Sequence, residues 1–307
     1  MRALALSALL MAGPVSCGDE IVGYRTSVTD GFADDPLPQF VAGGTDLRRV
    51  VSFDNGHTWE GEFVEPAPPE DSLVTDIARS PGRIVMVAGE LTFTSDDGYQ
   101  WESFQDLQGY ITGVAYGGGL FVSVGFGGRR AYSEDGWGWI NRPDPEEGAN
   151  YLSIAYGDGR FVAVGASSMA TSTDGQTWTT TPLPGSKLEA IAYGNGQFLA
   201  VGEEGGRVML TRDGRTVDYD GTGPNVFGVC FFEGQWVASG WTTSWVSDDG
   251  REWAEFAHGR SIQSLACGPT VMVGAGDGLL FRAEDPTSWE QVGEVDGVLT
   301  RVRYTGI

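Results

Sequence analysis

Aspartate, whose carboxylate can act in catalysis, recurs at regular positions in this chain. Six copies stand in a short phrase, in which Ser or Thr lies two residues before the Asp and Gly follows it directly or after one residue. These aspartates are Asp54, Asp97, Asp135, Asp174, Asp213 and Asp249. Carboxylates can serve as general acids and bases, but Asp-Gly between apolar runs signals a tight turn whose Asp side chain accepts backbone N–H groups. We therefore interpret these aspartates as structural rather than catalytic.

The other residue types that carry catalysis or bind metals form no recognisable site. His57 lies inside one of the repeated phrases, and neither His57 nor His258 has a Cys or His partner at metal-site spacing. The sequence contains no Gly-x-Ser-x-Gly phrase of the kind that presents a nucleophilic serine. We predict no metal ion and no cofactor.

The spacing of the phrase sets the architecture. Its last residue, usually Trp, stands at positions 59, 101, 139, 178, 217, 253 and 289, so that seven copies follow one another at steps of 36 to 42 residues. Ahead of the turns, pairs of apolar runs split by Gly-x-Gly indicate β-hairpins, most clearly at 154–165. This period is typical of propeller blades. The sequence predicts an all-β fold, a single seven-bladed β-propeller over residues 39–307.

The clearest copy of the phrase, Ser172–Trp178, resembles the Asp-box (BNR) motif of sialidases, sortilin-type receptors and many bacterial propellers. The resemblance covers about residues 38–307 and implies that each box joins the third and fourth strands of a blade, away from the usual binding face. The sialidase phrase Phe/Tyr-Arg-Ile-Pro is absent, and Gly82–Val85 does not replace it. The chain is therefore most similar to the non-sialidase, bacterial lipoprotein type within the sialidase-like superfamily.

The resemblance also implies where a binding face would lie. In propellers of this family it is formed by loops that leave the second strand of each blade and loops that lead into the first. The former contain Asp46, Arg48, Arg129, Arg130, Glu203, Glu204, Arg207, Trp241 and Asp277, and the latter Tyr110, Asn150, Tyr151 and Lys187. Arginine, carboxylate and aromatic groups hold peptides and sugars, although exposed loops carry polar residues in any protein.

The two ends of the chain are predicted to build one blade together. Gln39–Gly44 matches the second strand of the repeat, and Leu299–Tyr304 matches the innermost strand that the first blade lacks. Pairing of the two would close the ring and remove open sheet edges. Innermost strands line the central channel, and at the channel-facing position Asp76 and Arg301 are charged and fall in neighbouring blades. We expect them to form an ion pair, as a latch on the closing blade or as a ligand anchor.

Charge limits the choice of partner. The chain has 19 Lys and Arg against 42 Asp and Glu, a formal net charge of −23. Nucleic-acid binding depends on Lys and Arg contacts to phosphate, so we predict no nucleic-acid partner. Anionic lipid surfaces are disfavoured for the same reason. An acidic surface that keeps the protein soluble would also account for the charge.

The N-terminus has the pattern of a secretory signal. Arg2 precedes the apolar run Ala3–Ala12, which is too short to span a bilayer. Val15-Ser16-Cys17-Gly18 resembles a bacterial lipobox, which implies a signal peptide over residues 1–16 and lipidation of Cys17, with ordinary secretion as the alternative. Residues 17–38 are acidic and contain Pro and Gly, and we interpret them as a tether. We expect contact with the membrane only through a lipid anchor.

Two further cysteines fall in the innermost strands of successive blades. Cys230 and Cys267 are offset by one position in the repeat. Because side chains alternate between the two faces of a strand, this offset allows a disulfide across the blade interface. Two buried free thiols are the preferred interpretation.

These observations favour a non-enzymatic lipoprotein of the bacterial cell envelope, on its periplasmic or outer-membrane face. We expect a monomer that binds a protein or glycan partner through its loop face. The alternative is a glycoside hydrolase or polysaccharide lyase with a carboxylate pair on that face, because such pairs come together only in space.

Overall fold

The computed structural model describes residues 39–63, 72–105, 109–142, 149–202 and 206–305. The predicted signal peptide, Cys17 and the tether, and also Glu203 and Glu204, lie outside this part of the chain. The described residues form seven antiparallel sheets, which are the seven predicted blades. The innermost strand of each blade contacts that of the next blade, and the last contacts the first, so the blades form a closed ring.

The strands are numbered in chain order, β1 to β27. The first blade combines β1 (Phe40–Gly44), β2 (Arg49–Ser52) and β3 (Glu60–Phe63) with β27 (Leu299–Tyr304). The second contains β4 (Asp76–Ser80), β5 (Arg83–Ala88), β6 (Leu91–Ser95) and β7 (Glu102–Gln105). The third contains β8 (Ile111–Gly117), β9 (Leu120–Gly125), β10 (Arg130–Ser133) and β11 (Ile140–Asn141), with a 3₁₀ turn at Phe126–Gly128. The fourth contains β12 (Asn150–Gly157), β13 (Arg160–Ser172) and β14 (Thr179–Lys187).

The remaining three blades each have four strands in chain order. The fifth contains β15 (Ala190–Gly194), β16 (Gln197–Val201), β17 (Arg207–Thr211) and β18 (Tyr219–Thr222). The sixth contains β19 (Gly228–Phe232), β20 (Gln235–Ser239), β21 (Thr243–Ser247) and β22 (Ala254–Ala257). The seventh contains β23 (Ser264–Cys267), β24 (Met272–Gly276), β25 (Leu279–Ala283) and β26 (Glu290–Glu294).

The C-terminal strand closes the ring, as predicted. Strand β27 pairs antiparallel with β1, with Ala42 opposite Val302 and Phe40 opposite Tyr304. It also contacts β4 of the second blade and β23 of the seventh. The two ends of the propeller are thus held in one sheet, in which β27 covers the inner edge of β1.

The apolar core lies between the blades. Seven clusters of buried side chains alternate with the seven sheets, and each cluster joins two neighbouring blades. Large aromatic side chains recur at one place in the second strand of four successive blades: Phe121, Phe161, Phe198 and Trp236, each at most 1% exposed. Burial of each such side chain stabilises the fold by about 1.5–3 kcal/mol. The ring is therefore held by side chains repeated from blade to blade.

The repeated Asp-Gly turns are built as the sequence predicts, by side-chain bonds to the backbone. Asp174 Oδ1 accepts the backbone N–H groups of Gln176 and Thr177 at 2.9 and 2.7 Å, and the Ser172 hydroxyl at 3.0 Å. The indole N–H of Trp178 donates to the Gly175 carbonyl at 3.2 Å. The turns at Asp97, Asp135, Asp213 and Asp249 repeat the two backbone bonds to the carboxylate. Backbone hydrogen bonds lower the pKa of Asp135, Asp213 and Asp249 below the ordinary value for Asp.

Each turn also packs on the preceding blade. A Cβ atom added to Gly175 would lie 2.8 Å from Val122 Cγ2 of the third blade, and Gly136 faces Val85 in the same way. The Arg83 guanidinium of the second blade donates to the carbonyl of Asp135 in the third at 2.7 Å. The turns are therefore part of the interfaces between blades.

Cys230 and Cys267 form a disulfide, with their Cα atoms 5.9 Å apart. The preferred sequence interpretation, two free thiols, is therefore wrong. The one-position offset brings the two side chains together across the interface between β19 and β23. The bridge joins the sixth blade to the seventh at their innermost strands.

Candidate functional site

The antiparallel strands place two kinds of connection at opposite ends of the ring. We call loop face the end that carries the connections from second to third strands and those leading into the first strands. The opposite end carries the Asp-Gly turns and is called the turn face. On the loop face, Asp46 and Asp277 are exposed in the connections after β1 and β24. Asp277 accepts a hydrogen bond from the Gln263 amide at 2.9 Å.

Three further predicted residues also lie on the loop face. Arg48 approaches the exposed Asp296 at 3.7 Å, Arg129 follows the 3₁₀ turn, and Trp241 follows β20 with 56% of its surface exposed. Among the residues of the segments leading into the first strands, Lys187 forms an ion pair with Glu189 at 2.8 Å. The residues that the structure places there are thus distributed over several blades.

Two predicted loop-face arginines lie inside blades instead. Arg130 is the first residue of β10 and is buried, with its guanidinium against the rings of Tyr151 and Trp178. Arg207 begins β17 and pairs with Asp220 of the neighbouring strand β18, with Nη2 2.6 Å from Oδ2. The prediction placed both arginines in loops, but each is the first residue of a strand. At that position the direction of the side chain follows the alternation of the strand.

The loop face carries two pairs of aromatic side chains. Two of these four residues, Phe126 and Phe227, are not among the residues predicted from the sequence. Tyr110 and Phe126 stack at 5.3 Å between ring centroids, and 41% and 43% of their surfaces are exposed. Phe227 and Trp241 meet edge to face at 4.9 Å. The pairs belong to the third and sixth blades, so they stand on opposite sides of the channel mouth. Phe126 and Trp241 stand at corresponding positions, directly after Gly125 and Gly240, and this was the signal that could have identified Phe126; Phe227 has no such counterpart.

The channel contains charged groups, but not in the predicted pairing. Asp76 pairs with Arg303 rather than Arg301, with Oδ1 2.7 Å from Nη2. The Asp76 carboxylate also accepts the backbone N–H groups of Ile77 and Val114 at 2.9 and 3.1 Å. Because both amides lie one residue farther from the loop face than Asp76, the carboxylate points down the channel, where Arg303 lies. The expected ion pair between Asp76 and Arg301 is therefore wrong.

Arg301 instead bonds to backbone carbonyl groups. Its Nε donates to Thr75 O at 2.6 Å and its Nη1 to Thr300 O at 3.0 Å. Burial in the channel lowers the pKa of Arg301, although Asp76 acts in the opposite direction. The guanidinium borders a cavity of about 410 Å³ that occupies the channel on the side of the fourth to seventh blades.

A second cavity, of about 460 Å³, lies between the sixth and seventh blades. It is bordered by the Asp-Gly turn residues Asp248 and Glu252 and by Asp285 and Thr287 of the seventh blade. Over residues 39–305, leaving out the undescribed gaps, no three His, Cys, Asp or Glu side chains are grouped closely enough to hold a metal ion. In that same part of the chain, no helix has the length and apolar character that crossing a bilayer requires.

Comparison with known proteins supports the fold. No known protein family and no curated protein sequence matches the chain. Solved structures that match include a catalytically inactive virginiamycin B lyase from Staphylococcus aureus with quinupristin, at a TM-score of 0.65 and 10% identity over 74% of this chain and 88% of that one. YCF48 bound to D1 peptide matches at 0.58 and 19% identity over 72% and 82%. The WD40 β-propeller domain of Doa1 matches at 0.61 and 13% identity over 76% and 86%.

Proposed function

We propose that this protein is a non-enzymatic binding scaffold whose loop face holds a segment of a protein partner. The observation that carries the proposal is the pair of aromatic clusters, Tyr110 with Phe126 and Phe227 with Trp241, in which Tyr110, Phe126 and Trp241 are exposed. Aromatic side chains bury large areas at little cost in conformational entropy, and Trp and Tyr dominate the binding energy of many interfaces. Placed on two sides of the channel mouth, they would contact two separate apolar side chains of one ligand.

The surroundings of the clusters suit a peptide or protein segment. Charged side chains of both signs lie on the same face, including Arg48, Lys187 and Asp277, and these can pair with polar groups at the rim of an interface. A structural neighbour with 19% identity was solved bound to a peptide, which supports a peptide ligand here only by analogy of fold. A glycan, for which exposed Trp241 would serve as a stacking platform, is the other outcome of the test.

We further propose that the chain is an Asp-box propeller anchored in the bacterial cell envelope through Cys17. The hydrogen bonds of the Asp-Gly turns support the first part, and the N-terminal sequence supports the second. Replacement of Cys17 by Ser should move the protein from the membrane fraction to the soluble fraction. A protein that stays in the membrane fraction after this replacement would contradict the lipid anchor.

The binding proposal is tested with matched alanine variants. Trp241→Ala and Phe126→Ala remove exposed rings from the loop face, and Ile140→Ala removes a side chain of similar exposure, 46%, from an outermost strand. A partner is first captured from the cell envelope by cross-linking, then purified and titrated with each variant. We expect the loop-face variants to weaken binding by about tenfold or more, as for interface anchors, and Ile140→Ala to leave it unchanged.

Two results would overturn the proposal. Equal effects of all three variants would place the interface elsewhere. Turnover of a glycan by the purified protein would replace binding with catalysis, and a carboxylate pair about 5–9.5 Å apart would then be sought on the loop face.

A further inference from the structure

Several charged side chains lie in or at the mouth of the channel. Arg303 is paired with Asp76, and Glu189, which also borders the cavity, is paired with Lys187. Arg301 has no carboxylate within ion-pair distance among the described residues. The chain has a net charge of −23, so carboxylates that could pair with an arginine are abundant. An arginine that borders a cavity without such a partner is therefore unusual in this chain.

The Arg301 guanidinium retains donors for a ligand. An arginine side chain has five N–H donors, and the described contacts use one on Nε and one on Nη1, both to carbonyl oxygens. These two bonds fix the plane of the guanidinium, because its Nε and one terminal nitrogen are held by the backbone of two neighbouring blades. The other terminal nitrogen is left for the cavity that Arg301 borders. A guanidinium fixed in this way is ready to form charge-assisted hydrogen bonds with an anion.

The cavity has room and walls for an organic molecule. Its volume of about 410 Å³ falls in the range of small-molecule sites. The walls combine the small residues Ala190 and Gly228, the hydroxyl of Ser153, and the rings of Tyr193 and Tyr304. Small residues at the channel-facing positions leave the space open, and the rings offer an apolar surface to the body of a ligand.

We propose that the central channel is a binding site for a small organic anion with one carboxylate group, which the Arg301 guanidinium holds. The fixed guanidinium matches one carboxylate, and the aliphatic and aromatic walls contact the rest of the molecule. Of the two aromatic clusters of the loop face, only Phe227 borders this cavity, so a protein partner is tested through Trp241 and Phe126 and a carboxylate in the channel through Arg301.

The test compares an acid with its amide. Phenylpropionate and phenylpropionamide have the same shape and differ in charge, and each is titrated into the full chain by isothermal calorimetry. We expect the acid to bind and the amide to bind about tenfold more weakly or not at all, because a charged hydrogen bond is lost. Equal binding of acid and amide, or no binding of any carboxylate in a panel of aliphatic and aromatic acids and peptides with a free C-terminus, would overturn the proposal.

Variants locate the site. Arg301→Gln should abolish the preference for the acid, whereas Arg212→Gln, which removes an exposed arginine with 70% of its side chain accessible, should not. Because Arg301 also bonds to the closing interface, Arg301→Gln could fail to fold. Ala190→Leu then carries the test: it fills the channel, keeps the guanidinium, and should block binding without lowering the melting temperature. Acid binding that survives Ala190→Leu and Arg301→Gln would place the site outside the channel.

The carboxylate could also come from the end of a peptide chain. A short peptide ending in Phe, with a free or an amidated C-terminus, separates this source from a free small acid. If the free-acid peptide binds through Arg301 and phenylpropionate does not, the carboxylate site stands and its ligand is a chain end. If neither peptide form is preferred and phenylpropionate also fails, the site is not one for carboxylates.

Discussion

Arg303 and Asp76 join the closing strand to the second blade, with Nη2 2.7 Å from Oδ1. The same carboxylate accepts the N–H of Val114 from the third blade, so one buried side chain links three blades. Asp76 is only 2% exposed. Loss of its charge would leave the Arg303 guanidinium without its anion in a partly desolvated channel.

We predict that Asp76→Asn lowers the free energy of unfolding by about 3 kcal/mol, in line with the removal of one partner from a buried ion pair. The measurement is urea unfolding followed by tryptophan fluorescence. Asp296→Asn is the control, because Asp296 faces an arginine at 3.7 Å but is 94% accessible and should contribute nothing measurable. Similar losses in the two variants would mean that overall charge, and not the channel pair, sets the effect.

Reduction of the disulfide should destabilise the ring. The bridge spans 37 residues of sequence, and a loop of this size restricts the unfolded chain by about 4 kcal/mol. We expect the double variant Cys230→Ser/Cys267→Ser to melt at a lower temperature than the parent. Reductant should lower the melting temperature of the parent to that of the variant and leave the variant unchanged. Two reactive thiols from Cys230 and Cys267 in the unreduced, denatured parent would show that the bridge does not form.

Two glycines with similar positive φ angles allow the cost of backbone strain to be measured separately from the cost of a steric contact. Gly175 has φ of 68° and faces Val122 across a blade interface, whereas Gly159 has φ of 71° and a Cβ atom added there would meet no other atom within 4 Å. Gly159→Ala should cost about 1 kcal/mol through its positive φ alone. Gly175→Ala should cost about 1–3 kcal/mol more, because the new methyl group overpacks the interface. Chemical denaturation of both variants measures the difference, and equal losses would show that the turn does not press on the preceding blade.

The Asp-Gly turns predict a characteristic acid sensitivity. Hydrogen bonds lower the pKa of Asp213 in the folded protein, so its contribution to stability is present above the unfolded-state pKa of about 4. That contribution is lost as the pH falls through the lower, folded-state pKa. We expect Asp213→Asn to lower the melting temperature at pH 7, and the difference from the parent to shrink as the pH falls below about 4. A difference that stays constant between pH 7 and pH 3 would argue against ionic capping of the turn.

The repeat predicts the fold because its signals are local. Each Asp-Gly turn, each hairpin and the split first blade can be identified within a few residues of sequence. The errors in the placement of Arg130 and in the pairing of Asp76 with Arg301 come from distant contacts. The rings of Tyr151 and Trp178 surround Arg130 from the next blade, and the Val114 amide turns the Asp76 carboxylate towards Arg303.

The aromatic clusters were missed for a related reason. Tyr110 and Phe126 lie on two separate connections, and nothing in either segment alone indicates that their rings stack. The offset of Cys230 and Cys267 was visible in the sequence. However, it could not distinguish a disulfide from two thiols, because the distance between neighbouring innermost strands depends on how the whole ring packs.

The closing blade also holds both ends of the propeller at the turn face. Thr305 donates its N–H to Gln39 O at 2.6 Å, and the Gln39 side chain accepts the N–H of Asn55 in the first Asp-Gly turn. The polypeptide therefore enters the ring from the turn face. Trp241 and the channel mouth lie at the opposite end of the ring. A chain immobilised through Gln39 or Thr305 would therefore leave the loop face open to a partner in solution.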